Sequence, residues 1–186
     1  CGWLARIFMR SLGVIAARGG SKGIPRKNLS MIGEIPLMEF TRRAAVGSKL
    51  DRLIVSTEDA EISALAQSIG LEVPFTRPSV LADDYASTSS VMLHAVDTLQ
   101  AEGDQFDIVV SLDITAPFKL SSDIDECLAR IEQGATSANT VCEAEINPYF
   151  NMLQVDDEGW GTPLFDEYFT LTRRQDAPRG YRENAV

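Results

Sequence analysis

The sequence predicts an α/β domain in which helices cover both faces of a mostly parallel sheet, followed by a β-hairpin arm. Short apolar runs rich in β-branched residues alternate along the chain with segments whose apolar residues recur at i, i+3, i+4 and i+7. Towards the C-terminus this alternation gives way to aromatic, strand-like sequence. We therefore predict a doubly wound α/β domain at residues 12 to 145 and a C-terminal arm at residues 146 to 186.

The first half of the domain is predicted to contain two strands and two helices. SLGVIAAR is an apolar run that ends in a glycine-rich loop, which is typical of a buried strand and a turn, and RLIVST is a second such run. Pro36 marks the start of the helix LMEFTRRAAVGS, because proline is favoured in a first helical turn. The next helix has Glu58, Asp59 and Glu61 in its first turn, where the helix dipole favours negative charge, and Gly70 ends it.

The second half of the domain is predicted to contain two further helices and three strand candidates. The helical spacing recurs at Met92, Ala95, Val96 and Leu99 in the third helix, and at Ile124, Cys127, Leu128 and Ile131 in the fourth. A capping box from Ser122 to Asp125 is expected to begin the fourth helix. The strand candidates are LEVPF, FDIVVSLD and SANTVCEA.

The segment from Asn147 onwards is predicted to form a β-hairpin, because a DDEG turn separates two strand-like stretches. Four of its aromatic residues would make a free arm too apolar for water: Trp160, Phe165, Tyr168 and Phe169. We expect them either to pack back on the domain or to form a subunit interface, and we favour the interface of a homodimer.

The composition argues against several classes of protein. A formal net charge of -10 disfavours nucleic acid and anionic membranes as partners. No apolar run approaches the roughly 20 residues of a membrane span. The three cysteines have neither metal-binding nor redox spacing, which favours a cytoplasmic location. The opening CGWLARIFM lacks the features of a signal peptide, and we interpret it as an extension before the first strand.

Two short stretches hold eight of the 17 Lys and Arg residues. ARGGSKGIPRKN contains Arg18, Lys22, Arg26 and Lys27 with Gly19, Gly20 and Gly23, and RRQDAPRGYR contains four arginines. Each stretch is either a solvated charged loop or an anion site. The first follows a predicted strand at the sheet edge where α/β proteins bind ligands, and its glycines would let N–H groups approach phosphate oxygens while the cations neutralise them. We favour an anion site, although the loop matches neither the phosphate loop of nucleoside triphosphatases nor the dinucleotide fingerprint.

Taken together, the motifs of this sequence resemble those of the acylneuraminate cytidylyltransferases. In chain order they are ARGGSKGIPRKN, IVST, RPSVLADDYAST, DITAP and RRQDAP with YREN, so the resemblance covers almost the whole chain. It implies a nucleotide-diphospho-sugar transferase-like Rossmann architecture. It also implies a reaction in which CMP is transferred from CTP to a nonulosonic acid, a nine-carbon sugar acid, with Mg²⁺ assisting and pyrophosphate leaving.

The resemblance implies a set of site residues as well. Lys27 would be the main catalytic cation, with Arg18 and Lys22 also on the phosphates. The expected nucleotide contacts are Ala17, Gly19, Gly20, Asn28, Arg77, Ala86 and Thr88. The expected contacts to the sugar acid are Asp113, Arg174, Tyr181 and Asn184. For Arg77 the alternative is a structural role at the end of a strand.

The sequence departs from the sialic-acid members at Asp113 and Ile114, where those members usually have Gln and Pro. With NPYFN at residues 147 to 151, it is more similar to the subgroup that activates legionaminic acid. Asp113 would then contact the sugar; the alternatives are a Mg²⁺ ligand and a structural residue at the strand end. His94, the only histidine, lies in the third helix and is expected to be a packed or surface residue there rather than a catalytic base.

Two other functions stay open from the sequence. The family places a metal-binding pair of aspartates beyond the strand at which this sequence ends, so the alternative to an active enzyme is a truncated or degenerate homologue that binds CTP without turnover. A cytidylyltransferase for an eight-carbon sugar or a terpenoid precursor is less consistent with the loop ARGGSKGIPRKN.

Overall fold

The computed structural model describes residues 9–20, 23–83 and 85–183, which divide into two compact units at residues 139 and 140. The first unit contains, in chain order, β1 (Ser11–Ala16), β2 (Met31–Ile32), β3 (Ile35–Pro36), α1 (Leu37–Val46), β4 (Arg52–Ser56), α2 (Ala60–Ser68), α3 (Thr88–Ala101), β5 (Ile108–Ser111) and α4 (Ser121–Glu132). No helix among the described residues has the length and apolar character needed to span a bilayer.

A parallel sheet in the order β4-β1-β5 forms the centre of the first unit. Its middle strand is buried on both faces, because β-strand side chains alternate between the two faces. Leu12 and Val14 pack with α3 on one face. Ile15 packs on the other face with residues of α1, α2 and α4. The doubly wound α/β fold is thereby confirmed.

The helix starts follow local hydrogen bonding. Asp59 caps α2, since its Oδ1 accepts the N–H groups of Glu61 and Ile62 at 2.9 and 3.0 Å. The fourth helix begins one residue earlier than the expected capping box. There the Asp123 carboxylate accepts the Leu120 N–H at 2.7 Å, so Asp123 rather than Asp125 closes the first turn.

Two of the strand candidates differ from expectation. LEVPF makes only an isolated parallel bridge at Glu72, and a second one follows it at Thr76, because Pro74 between them has no N–H to donate. Within SANTVCEA, β6 (Val141–Glu143) pairs antiparallel with β9 (Tyr181–Glu183) in the second unit instead of joining the parallel sheet. This pairing moves the boundary between the units from the expected residue 145 to residue 139.

The second unit also contains the expected hairpin, formed by β7 (Leu153–Val155) and β8 (Gly161–Pro163). The Asp156 side chain closes its turn by accepting the Trp160 N–H at 2.8 Å. Trp160 and Phe169 are 71% and 74% exposed. The subunit interface expected for these rings stays a prediction.

The central strand is expected to dominate the stability of the first unit. Val14 in β1 is fully buried and Val109 in β5 is 43% exposed. Val14→Ala should lower the free energy of unfolding by about 1.5 to 3 kcal/mol, and Val109→Ala by less than about 1 kcal/mol. Urea unfolding of both variants checks this, and equal losses would contradict the described sheet.

Candidate active site

A cleft of about 390 Å³ opens at the carboxyl ends of β1 and β5. Seven of the residues predicted for the site line it: Arg18, Lys27, Asn28, Arg77, Ala86, Thr88 and Asp113. The structure adds Ala16, Leu81, Asp83, Val91, Ser111 and Leu112. The location agrees with the rule that parallel α/β sheets bind ligands beyond the carboxyl ends of their strands.

The loop after β1 supplies two of the cations that line the cleft, Arg18 and Lys27. Asn28 is buried, and its side-chain amide donates to the Arg18 carbonyl at 2.9 Å, which fixes the two ends of the loop against each other. Arg18 donates to the Asp83 carbonyl at 3.1 Å across the cleft. Lys27 is half-buried at the start of a 3-10 turn. Lys22 lies outside the described residues, so its expected role stays a prediction.

Arg26 has a different role from the other cations of this loop. Its backbone is left-handed, with φ of 54°. Its guanidinium pairs with Asp59 at 2.8 Å and Glu61 at 2.7 Å. The acidic residues at the start of α2 therefore neutralise the charge of Arg26. This cation is engaged within the protein and is not available to bind an anion in the cleft.

Glu58 connects the loop after β1 with Arg77. One carboxylate oxygen accepts the Gly19 N–H at 2.8 Å, and the other accepts Arg77 Nε at 3.2 Å and Nη2 at 2.5 Å. Arg77, only 4% exposed, also donates to the Ala17 carbonyl at 3.3 Å. Burial acts to raise the pKa of Glu58, but the hydrogen bonds from Gly19 and Arg77 outweigh it and lower this pKa.

This arrangement gives Ala17, Gly19 and Gly20 positions that differ from their expected contacts with the nucleotide. Gly19 uses its N–H on Glu58 instead of presenting it to a phosphate, because the carboxylate lies directly beside the loop. Neither Gly19 nor Gly20 lines the cleft, and Ala17 contributes a carbonyl to Arg77 from a buried position. The sequence showed Glu58 only as an acidic residue near a helix start, and its pairing with Arg77, 19 residues away, had no local signal.

The loop after β5 brings Asp113 to the opposite wall of the cleft. Asp113 is exposed, and its Oδ1 accepts the Thr115 N–H at 2.8 Å. Lys119 closes the same loop by donating to the carbonyls of Asp113 and Ala116 and to the Thr41 hydroxyl of α1. Burial lowers the pKa of Lys119 to about 8, against the opposing effect of the Asp113 charge. Sequence reasoning missed Lys119 because it lies in neither basic stretch.

The third wall is the segment that leads into α3. The Asp83 carboxylate accepts the N–H groups of Tyr85 and Ala86 at 2.9 and 2.7 Å, and the Ser87 hydroxyl caps α3 by accepting the Ser90 N–H. Thr88 therefore faces the cleft from the first turn of a 14-residue helix, whose dipole favours an anion there.

The remaining predicted sugar contacts belong to the second unit. Arg174 is exposed and donates to the Glu145 carbonyl at 3.0 Å, and Tyr181 is 56% exposed on β9. Asn184 lies outside the described residues. The second basic stretch is partly paired within its own unit, since Arg173 forms an ion pair with Asp176 at 2.8 Å.

His94 packs against Phe75, with 5.1 Å between ring centroids, and it does not line the cleft. Among residues 9–20, 23–83 and 85–183, no group of three or more His, Cys, Asp or Glu side chains is arranged to hold a metal ion.

The fold and the cleft together define an α/β protein with a candidate ligand site beyond the carboxyl ends of its parallel strands. A solved structure of CMP:2-keto-3-deoxy-manno-octonic acid synthetase complexed with CTP superposes with a TM-score of 0.68 at 18% identity, covering 94% of this chain and 71% of the other. The 4-diphosphocytidyl-2C-methyl-D-erythritol synthase of Anaerococcus prevotii superposes with a TM-score of 0.61 at 14% identity. The match covers 94% of this chain and 67% of the other. At such identities the likeness shows the fold.

Sequence comparison gives the family. The model of the family described as cytidylyltransferase matches residues 12–182, and the chain belongs to this family. The pseudaminic acid cytidylyltransferase of Campylobacter jejuni is 32% identical over 94% of this chain and 75% of its own length. The CMP-N,N'-diacetyllegionaminic acid synthase of the same species is 33% identical over 92% of this chain and 73% of its own length. The post-translational flagellin modification protein B of Campylobacter coli is 35% identical over 92% of this chain and 73% of its own length.

Gly19 is expected to tolerate no side chain. A Cβ atom built on Gly19 would lie 2.3 Å from Asp59 Oδ2, whereas one on Gly20 meets nothing within 4 Å. Gly19→Ala should lower the free energy of unfolding by about 1 to 3 kcal/mol, as overpacking does. Gly20→Ala is the matched control and should leave it nearly unchanged in urea unfolding. Equal stability of the two variants would contradict the described approach of the loop to α2.

Glu58→Gln should lower stability near neutral pH and remove part of its acid dependence. The folded pKa of Glu58 lies below its usual value of 4.5, so the ionised carboxylate contributes stability above that value. This contribution is lost as the pH falls through the lowered folded pKa. The difference in free energy of unfolding between wild type and variant should therefore shrink in acid.

Urea unfolding from neutral pH to about pH 3 measures that difference across the pKa range of carboxylic acids. The control is Glu126→Gln, at an exposed glutamate of α4. A wild-type advantage over Glu58→Gln that does not change with pH would contradict the ion pair.

Proposed function

We propose that this protein transfers CMP from CTP to a nonulosonic acid and releases pyrophosphate. The observation that carries the proposal is the cleft itself: in a chain of the cytidylyltransferase family, Arg18, Lys27, Asn28 and Asp113 meet at the carboxyl ends of the parallel strands. The relatives named for pseudaminic and legionaminic acid match more than nine-tenths of the chain, which supports the substrate class.

In the proposed reaction, the anomeric hydroxyl of the sugar acid attacks the α-phosphate of CTP. The bond between this phosphorus and the bridging oxygen breaks, and pyrophosphate leaves. Lys27 and Arg18 bind the triphosphate and neutralise the charge that develops on it, as preorganised cations do at a transferring phosphoryl group. Asn28 maintains the loop that presents both cations.

Mg²⁺ is part of the proposal. Mg²⁺ commonly binds beside nucleotides through one or two carboxylates, substrate phosphates and water. Asp113 is an exposed carboxylate in the cleft and is the candidate protein ligand. When bound, the ion would neutralise phosphate charge and favour the departure of pyrophosphate.

We assign Asp113 first to the sugar. An ionised carboxylate only accepts hydrogen bonds, so it would select hydroxyl or N–H groups and repel the sugar's own carboxylate. Arg174, with Tyr181 and Asn184, is the proposed partner of that carboxylate, which arginine can bind with two parallel hydrogen bonds. Because the sequence at Asp113 resembles that of the subgroup that activates legionaminic acid, we propose that acid as the preferred substrate among the nonulosonic acids. Pseudaminic acid is the competing substrate, given a relative of that name at 32% identity.

The test is pyrophosphate release from CTP and Mg²⁺ with legionaminic, pseudaminic and sialic acids offered separately. Lys27→Ala should lower kcat about a hundredfold or more, the usual cost of removing a group that stabilises transition-state charge. Lys49→Ala, at an exposed lysine outside the cleft, is the matched control and should keep wild-type turnover.

Release with at least one of the sugars that is lost in Lys27→Ala supports the enzyme, and the preferred sugar defines its specificity. Measurable CTP binding without release with any of the three would overturn the proposal. It would favour instead a protein that binds CTP without turnover.

A further inference from the structure

Lys119 lies at the end of the loop that follows β5, and its ammonium group connects three acceptors on two elements. It donates to the Asp113 and Ala116 carbonyls within its own loop, at 2.5 and 2.8 Å. It also donates to the Thr41 hydroxyl on α1, at 3.4 Å. Thr41 is fully buried, so this contact fixes the loop to the interior of the domain.

Two neighbouring contacts fix the same loop. Phe118 packs edge-on against Phe40 of α1, with 6.3 Å between ring centroids. Ile114 is buried in the core cluster shared with α1 and α4. Residues 40 and 41 of α1 thus contact residues 118 and 119 of the loop. The position of Asp113 on the cleft wall follows from these contacts, because its own side chain bonds only to Thr115 among those described.

The contacts of Lys119 also exclude a direct role in binding substrate. A lysine ammonium has three donors, and all three here have acceptors within the protein. Lys119 does not line the cleft. A phosphate or a sugar carboxylate could recruit it only by breaking the hydrogen bonds that close the loop.

We propose that Lys119 is a positioning residue for the sugar acid: it holds the loop after β5 against α1 and thereby sets where Asp113 stands in the cleft. The proposal rests on the function proposed above. The helix α1 also packs against the turn Lys27–Leu29, so the same helix supports Lys27 on one side of the cleft and Asp113 on the other. Loosening the loop should therefore change sugar binding more than CTP binding.

The first test compares the KM for the sugar acid with the Kd for CTP in variants of Lys119. Lys119→Met keeps the length of the side chain and removes its donors. It should raise the KM for the sugar acid about tenfold or more, because small displacements of substrate-contacting groups have effects of this size. The Kd for CTP should change less than about threefold, because the substitution leaves the packing of α1 on the turn Lys27–Leu29 in place. Lys119→Arg should recover part of the sugar KM, and Lys49→Met is the matched control at an exposed lysine.

The second test asks whether Lys119 acts through Asp113. In an Asp113→Asn background, Lys119→Met should raise the sugar KM less than about twofold further, because residues acting as one unit are not additive. Equal effects in the two backgrounds, or a Lys119→Met variant with wild-type sugar KM, would overturn the proposal. An increase in the Kd for CTP as large as the increase in sugar KM would indicate general loosening and would also overturn it.

Hydrogen exchange separates this proposal from the proposed function, because it needs no turnover. In Lys119→Met, the amide hydrogens of residues 113 to 116, 118 and 119 should exchange faster while those of β1 and α3 stay protected. Wild-type protection of this loop in the variant would overturn the positioning role whatever the enzyme assay shows. Absence of turnover in the wild-type protein with faster loop exchange in the variant would overturn only the proposed reaction.

Discussion

The cleft depends on one partly buried ion pair, between Glu58 and Arg77. The Glu58 carboxylate joins the loop after β1, through Gly19, to the segment that leads to α3, through Arg77. Arg77 adds a bond to the Ala17 carbonyl, so both sides of the pair are satisfied. Removing one partner of such a pair is costly, since it leaves the other charge buried without compensation. The pair therefore sets the shape of two cleft walls at once.

The distribution of charge around this pair explains how an acidic protein maintains a cationic loop. Arg26 is neutralised by the acidic first turn of α2, and Asp59 of that turn also caps the helix. Arg18 and Lys27 face the cleft instead. Since like charges repel, pairing Arg26 with this turn lowers the electrostatic cost of placing several cations in one loop.

The helix α1 contacts both the turn of Lys27, which is proposed to bind CTP, and the loop of Asp113, which is proposed to bind the sugar acid. It follows the β2–β3 pair and packs on the turn that contains Lys27, while Thr41 and Phe40 hold the loop of Asp113. A rigid helix that supports both sides of a site maintains the distance between them, which is the condition for transfer between two bound molecules.

The sequence by itself determined the alternation of strands and helices, the parallel sheet, the hairpin and the cytidylyltransferase family. These follow from local periodicity, from glycine and proline positions, and from contiguous motifs such as ARGGSKGIPRKN. It also predicted Arg18, Lys27, Asn28, Arg77 and Asp113 as site residues, because they stand in the motifs, and all five line the cleft. Only the tertiary structure decided which of them are engaged with protein partners and that β6 pairs with β9. Glu58 with Arg77 and Lys119 with Thr41 are 19 and 78 residues apart, and such pairings arise from packing, which leaves no periodic signal in the chain.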